Sequence, residues 1–137
     1  MDKKLRTRIT NLMRRDLKKT TMYSNAKSRH FKGKTVYMCP VCNKHFYTGA
    51  SQKNFEALCE EYEDLVRCKE KELHMDHVQP LTPYDKEFHD MTLDEIADRN
   101  YCNEDNLQYI CSECHKEKTS KESTIRSKYK KLKKLEE

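Results

Sequence analysis

The chain has 137 residues, of which only 35% are hydrophobic, so it is domain-sized yet too poor in apolar residues for a large buried core; something else must help hold it together. No apolar run approaches the length that crosses a bilayer, and the opening MDKKLRTRIT carries no apolar signal stretch, so the expectation is a cytoplasmic protein with no membrane partner. The net charge of +5 is unevenly spread: residues 1–35 carry twelve Lys/Arg against two acids, residues 116–137 carry nine against four, and the middle is therefore strongly acidic. Basic arms around an acidic body suit a protein whose ends sit on phosphates while its centre holds cations, although Lys-rich ends alone are also what a solvated surface looks like.

In chain order, Leu5, Ile9, Leu12 and Met13 recur at helical spacing among Arg6, Arg8, Arg14, Arg15, Lys18 and Lys19. This predicts a short basic helical arm over residues 1–34, with those six cations as candidate nucleic-acid contacts. Gly33 ends the arm, and Val36–Met38 reads as a short strand leading into Cys39-Pro40-Val41-Cys42, a tight knuckle finished by His45 and Phe46. From Ser51 to about Lys69, Phe55, Leu58, Cys59, Tyr62, Leu65 and Val66 mark one face of a scaffold helix, with Cys59 as a small core residue. Leu73–Val78 alternates as a strand and is stopped by Pro80 and Pro83. Thr92 and Glu95 form a capping box for a short helix through Ile96 and Ala97, and the chain turns again at Asn103–Asn106. Leu107–Ile110 reads as another strand, and from Cys111 the sequence SECHKEK has no breaker and runs as a helix into a basic tail, residues 121–137.

Seven cysteines could suggest disulfides, but the number is odd and four of them form two C-x-x-C pairs, Cys39/Cys42 and Cys111/Cys114. Four thiolates are the ligand set of a closed tetrahedral zinc site, which is usually structural. With the pairs 72 positions apart, one structural Zn²⁺ would tie the first third of the chain to the last helix. A thioredoxin-like redox pair would need a single C-x-x-C opening a helix in a βαβ pattern, which is absent. Cys68 and Cys102 have no assigned role.

A second constellation comprises Asp76-His77, Asn106 and His115. Neighbours on a strand point to opposite sides, so Asp76 and His77 cannot easily serve one ion but can divide labour. The carboxylate is a hard ligand for Mg²⁺ or Mn²⁺; the imidazole titrates near neutrality and can take a proton from water. His115 follows Cys114 directly, so whatever fixes the knuckle fixes this imidazole, a second ligand for the catalytic cation. His74, two residues before Asp76, could approach the same place, though such a histidine is more often merely exposed or hydrogen-bonded. His45 is expected outside the zinc shell, and His30 and His89 have no telling spacing.

The stretches HMDHVQPL and DNLQYICSECHKEKT resemble the HNH (His-Asn-His, or His-Me finger) endonuclease family over roughly residues 72–120, and the Cys39-Cys42 pair extends the likeness to its zinc-containing subset. The basic leader RTRITNLMRRDLKK is similar to that of small bacteriophage members. The resemblance implies an α+β fold: a small ββα-metal core with a four-cysteine zinc knuckle and flanking basic helices, with the nuclease domain over residues 35–120. It implies His77 as general base, Asp76 and His115 as ligands of a catalytic divalent cation (Mg²⁺, Mn²⁺ or Ni²⁺), Asn106 as the residue whose amide holds the catalytic loop, and Lys118 as a phosphate contact. The nine-residue step from Asn106 to His115 is the family's spacing. Two departures stand out: the long segment from Leu81 to Asp105, and Thr119 where some relatives carry a further histidine. The implied activity is metal-dependent hydrolysis of double-stranded DNA by a monomer or weak dimer, nicking one strand at a time; the alternative is a non-catalytic zinc-stabilised DNA-binding module, or an accessory to phage DNA-packaging proteins.

Overall fold

The computed structural model describes residues 2–68 and 72–136. Among them are five α-helices and two small sheets, a mixed α+β arrangement. The amino-terminal arm is two helices rather than one. Helix α1 (Lys3–Leu17) starts at Asp2, whose carboxylate accepts the Lys4 N–H, and α2 (Thr21–Ser28) starts at Thr20, whose hydroxyl accepts the Tyr23 N–H. The expected stripe of α1 supplies only half of its inner face: Ile9 and Met13 are half-buried beside the buried Thr10 and Leu17, whereas Leu5 and Leu12 are 47% and 61% exposed. Arg6 explains the rotation. Its guanidinium donates to the carbonyls of Phe88, His89 and Met91, satisfying a turn that would otherwise leave acceptors half-buried, and this turns Arg6, Thr10 and Leu17 inward.

Strands β1 (Phe31–Lys32) and β2 (Val36–Met38) form a hairpin at Gly33, whose φ of +75° a side chain would oppose. Strand β2 pairs antiparallel with β3 (His45–Tyr47), across the Cys39–Cys42 knuckle. Helix α3 (Gln52–Cys59) is capped by the Ser51 hydroxyl and stops at Cys59, ten residues before the expected end at Lys69, which lies outside the described residues. Past Cys59 come Glu60, Glu61, Glu63 and Asp64, acids that disfavour continuation at the negative end of a helix. The chain instead turns, buries Leu65 beside Val36 and Tyr47, and adds β4 (Val66–Arg67) parallel to β3. Cys59 does pack with that cluster, alongside Phe55, Leu58 and Tyr62.

The second sheet is the antiparallel pair β5 (Leu73–His77) and β6 (Leu107–Cys111), in a register that sets Asp76 opposite Gln108 and His77 opposite Leu107. Between them lies α4 (Leu93–Asn100), whose cap, Thr92, accepts the Glu95 N–H at 3.1 Å as the capping box requires. A 3₁₀ turn at Glu104–Asn106 returns the chain to β6. Cys111 ends β6, and α5 (Ser112–Glu136) then runs 25 residues without a break, so the basic tail continues the helix that carries His115. Arg126 anchors its second half, donating to the carbonyls of Thr82 and Pro83 at 2.6 and 3.2 Å. The two sheets meet in one apolar cluster of Tyr37, Phe46, Leu73 and Ile110 with Cys39, Cys111 and Cys114. A separate cluster of Leu17, Ala26 and Leu107 fastens α1 and α2 to β6. No described helix is long and apolar enough to cross a membrane.

Candidate metal centre and adjoining cleft

The knuckle is made by short-range bonds: Asn43 N–H donates to the Cys39 carbonyl at 2.8 Å and Cys39 N–H to the Lys44 carbonyl at 3.0 Å, with Asn43 in the left-handed region at φ 62°. Asparagine is one of the few side chains that tolerates that conformation. The tight loop aims Cys39 and Cys42 at Cys111, the last residue of β6, and Cys114, in the first turn of α5. The four sulfurs lie within 4.8 Å of one another, and no other group of three or more His, Cys, Asp or Glu among the described residues converges in this way. A tetrahedron with bonds of about 2.3 Å has edges of roughly 3.8 Å; the Cys42 and Cys111 sulfurs are 3.9 Å apart. The donors and their spacing fit one zinc ion. Burial raises the thiol pKa values of Cys42 and Cys114. Burial also raises that of Cys39, but the N–H groups of Cys111, Cys42 and Val41 donate to its sulfur and bring it below the ordinary value, favouring the thiolate that a metal requires.

Next to this cluster, β5, β6 and α5 bring the second set together. Asp76 Oδ1 lies 3.9 Å from His115 Nε2, while Oδ2 accepts from Gln108 Nε2 at 3.2 Å and from the Lys118 ammonium at 2.9 Å. The His74 and His115 rings stack, with centroids 5.1 Å apart and planes at 25°. His77 turns away from this group. Its Nε2 is 3.3 Å from the Asn100 carbonyl oxygen at the end of α4. A carbonyl can only accept, so this bond puts the proton of the neutral ring on Nε2 and leaves the lone pair on Nδ1. Asn100 is itself fully buried, and its amide donates to the Met13 carbonyl of α1 at 3.1 Å. Asn106 makes both its amide bonds to the backbone of Gln79, accepting from N–H at 2.8 Å and donating to the carbonyl at 3.4 Å, which ties the exit of β5 to the entrance of β6.

Of these groups, His74, Asp76, His77, Asn100 and His115 line a cleft of about 820 Å³. Arg14, Lys18, Tyr23 and Lys27, from α1 and α2 or their ends, line the same cleft. Lys27 also lies over the Tyr109 ring, 5.6 Å from its centroid. The other expected phosphate contacts divide: Arg8, Arg15 and Lys19 are exposed, whereas Arg6 is committed to backbone carbonyls. Lys118 is bound to Asp76 and to Glu122. Burial lowers its pKa, but the Glu122 and Asp76 carboxylates outweigh that and raise it above the usual lysine value.

The residues that sequence reasoning missed are Gln108, Asn100, Lys27 and Glu122. Gln108 could have been found from the strand register, and Glu122 from its four-residue step from Lys118 on one helix; Asn100 and Lys27 come from elements whose docking has no local signature. His45 stands apart from the cysteines, its Nδ1 2.8 Å from Asp64 Oδ1 and its ring against Tyr62. Cys68 packs against the cluster around the four cysteines, and Cys102 against that of Leu107. No family model matches the chain, and neither a curated protein nor a solved structure matches it significantly.

Proposed function

We propose that the protein is a metal-dependent DNA endonuclease of the HNH type, with a ββα core formed by β5, β6 and the first turns of α5. The reading is carried by one juxtaposition: a hard carboxylate and an imidazole 3.9 Å apart, with a second imidazole, its Nδ1 lone pair unprotonated, in the same cation-rimmed cleft. Asp76 and His115 would hold a divalent cation, which supplies positive charge against the negative charge gathering on phosphorus and on the departing oxygen. His77 Nδ1 takes a proton from water as the water oxygen bonds to phosphorus, and the bond from phosphorus to the 3′ oxygen breaks; solvent returns a proton to that oxygen. The products carry 5′-phosphate and 3′-hydroxyl ends. Asn100 fixes the tautomer and direction of His77, Gln108 orients Asp76, and Asn106 keeps the Gln79 turn from pulling His77 out of line. Arg14, Lys18 and Lys27 carry the strand's phosphates without reading bases, so binding should weaken steeply with salt. One site cuts one strand, and a monomer nicks.

A DNA-binding module without catalysis is the second reading, favoured by the ion pair between Lys118 and Asp76, which leaves that carboxylate already neutralised. Conversion of supercoiled plasmid to nicked circles separates the two. The enzyme is expected to nick in Mg²⁺, Mn²⁺ or Ni²⁺ but not in excess chelator, and His77→Ala should lower the rate by about 10²- to 10⁴-fold. Zinc-loaded, folded protein that binds DNA and nicks with none of these ions would establish the binding module.

A further inference from the structure

Helix α5 presents His115, Lys118 and Glu122 along one face at steps of three and four residues, and Asp76 of β5 lies against that face. Asp76, Lys118 and Glu122 form a chain of three charges whose side chains are only 16%, 21% and 18% exposed. A single ammonium therefore serves two carboxylates, in contact with Glu122 Oε1 and 2.9 Å from Asp76 Oδ2, while Asp76 Oδ1 faces His115. Two positive centres on one carboxylate in a half-buried site repel each other, and each weakens the other's hold on it. A divalent cation held by Asp76 Oδ1 beside His115 would face the ammonium on Oδ2 of the same carboxylate, and their repulsion drives the ammonium away from Asp76. Glu122, one helical turn further along α5 and also in the lining of the cleft, gives the displaced charge a partner, so that it is not stranded half-buried and unpaired.

We propose that Lys118 is the resident counter-ion of this site, holding Asp76 until a divalent cation displaces it onto Glu122. The proposal rests on the reading of Asp76 and His115 as cation ligands. It makes Lys118 a positioning residue that keeps the carboxylate from recoiling between turnovers, at the cost of a weaker apparent affinity for the cation.

The test is Mn²⁺ binding by the full, zinc-loaded chain, followed by the loss of the free-ion electron paramagnetic resonance signal, with no DNA and no turnover. Lys118→Met is expected to bind Mn²⁺ about tenfold more tightly than the wild type, because the competitor is gone. Lys118→Gln, which keeps a donor for Glu122, should shift the same way, and Lys118→Arg, which keeps the charge, should not. The gain should vanish when Asp76→Asn is added to Lys118→Met. Unchanged or weaker Mn²⁺ binding by both neutral variants overturns the proposal while leaving the Asp76–His115 site standing, as does a gain that survives Asp76→Asn. Absence of Mn²⁺ binding in every variant overturns the proposal together with the cation site beneath it.

Discussion

The four-cysteine cluster and the Asp76–His115 cleft are neighbours, both drawn from the junction of β6 and α5, but they are built on opposite terms. The cluster takes its ligands from two tight local turns, and three of its four cysteines are buried. The cleft takes its groups from β5, β6, α4 and α5, is open, and has its carboxylate balanced by a lysine. A closed shell of four thiolates leaves no position for substrate and suits a staple; an open carboxylate and imidazole leave positions for water and phosphate. Their closeness also sets an order of dependence. Cys114 and His115 are consecutive, so the staple holds the helix turn that the cleft requires, whereas the cleft contributes little to the staple.

That dependence can be broken from the staple side with the largest effect. Cys111→Ser, or removal of zinc by a strong chelator, should abolish cooperative thermal unfolding seen by circular dichroism, because structural zinc binding is worth on the order of 10 kcal/mol and a domain's net stability is no larger. A stripped protein that melts as before would show that the apolar clusters hold the fold unaided. Breaking the cleft instead should spare the staple: Asn106→Ala loses both bonds to Gln79, should cost about 1–2 kcal/mol in denaturant unfolding, and should slow nicking less than His77→Ala with zinc content unchanged. The basic arm sharpens the contrast between binding and building. Arg14→Gln and Lys18→Gln should each reduce the salt slope of DNA binding by about one with the melt unmoved, while Arg6→Gln should lower the melting midpoint instead, since its guanidinium satisfies the carbonyls of the 88–91 turn.

The smallest effect expected concerns Asp64, beside the first knuckle. Burial raises its carboxyl pKa, but the His45 ring and N–H lower it by more, so the net folded value lies below the ordinary one. A depressed carboxyl stabilises the fold above its unfolded pKa, and the contribution is lost as pH falls through the folded value. The wild type should therefore lose slightly more of its melting temperature on acidification than Asp64→Asn; equal losses would remove His45–Asp64 from the account of the knuckle.

Much of this was legible in the sequence because it is local. The strand before Cys39, the pair of strands at Leu73 and Leu107, the Thr92 cap and the two C-x-x-C turns all depend on residues within a few positions of one another. The helix expected to reach Lys69 failed for a tertiary reason: Leu65 had a place in the cluster of Val36 and Tyr47, and Val66 had an edge beside Phe46 to pair with. The stripe of α1 held only in part: Ile9 and Met13 are half-buried, but with Arg6 docked on the carbonyls of a distant turn Leu5 and Leu12 stay exposed. By itself the sequence determined the four thiols, the order Asp76, His77, Asn106, His115, and the charge of the arms, since composition and spacing are properties of the chain alone. Only the tertiary structure decided that His77 hangs from the Asn100 carbonyl, that Arg6 builds while Arg14 and Lys18 face the cleft, and that Lys118 lies between Asp76 and Glu122. Those relations join groups as much as 87 residues apart, as in the bond from Asn100 to the Met13 carbonyl, and they exist only once separate elements have docked.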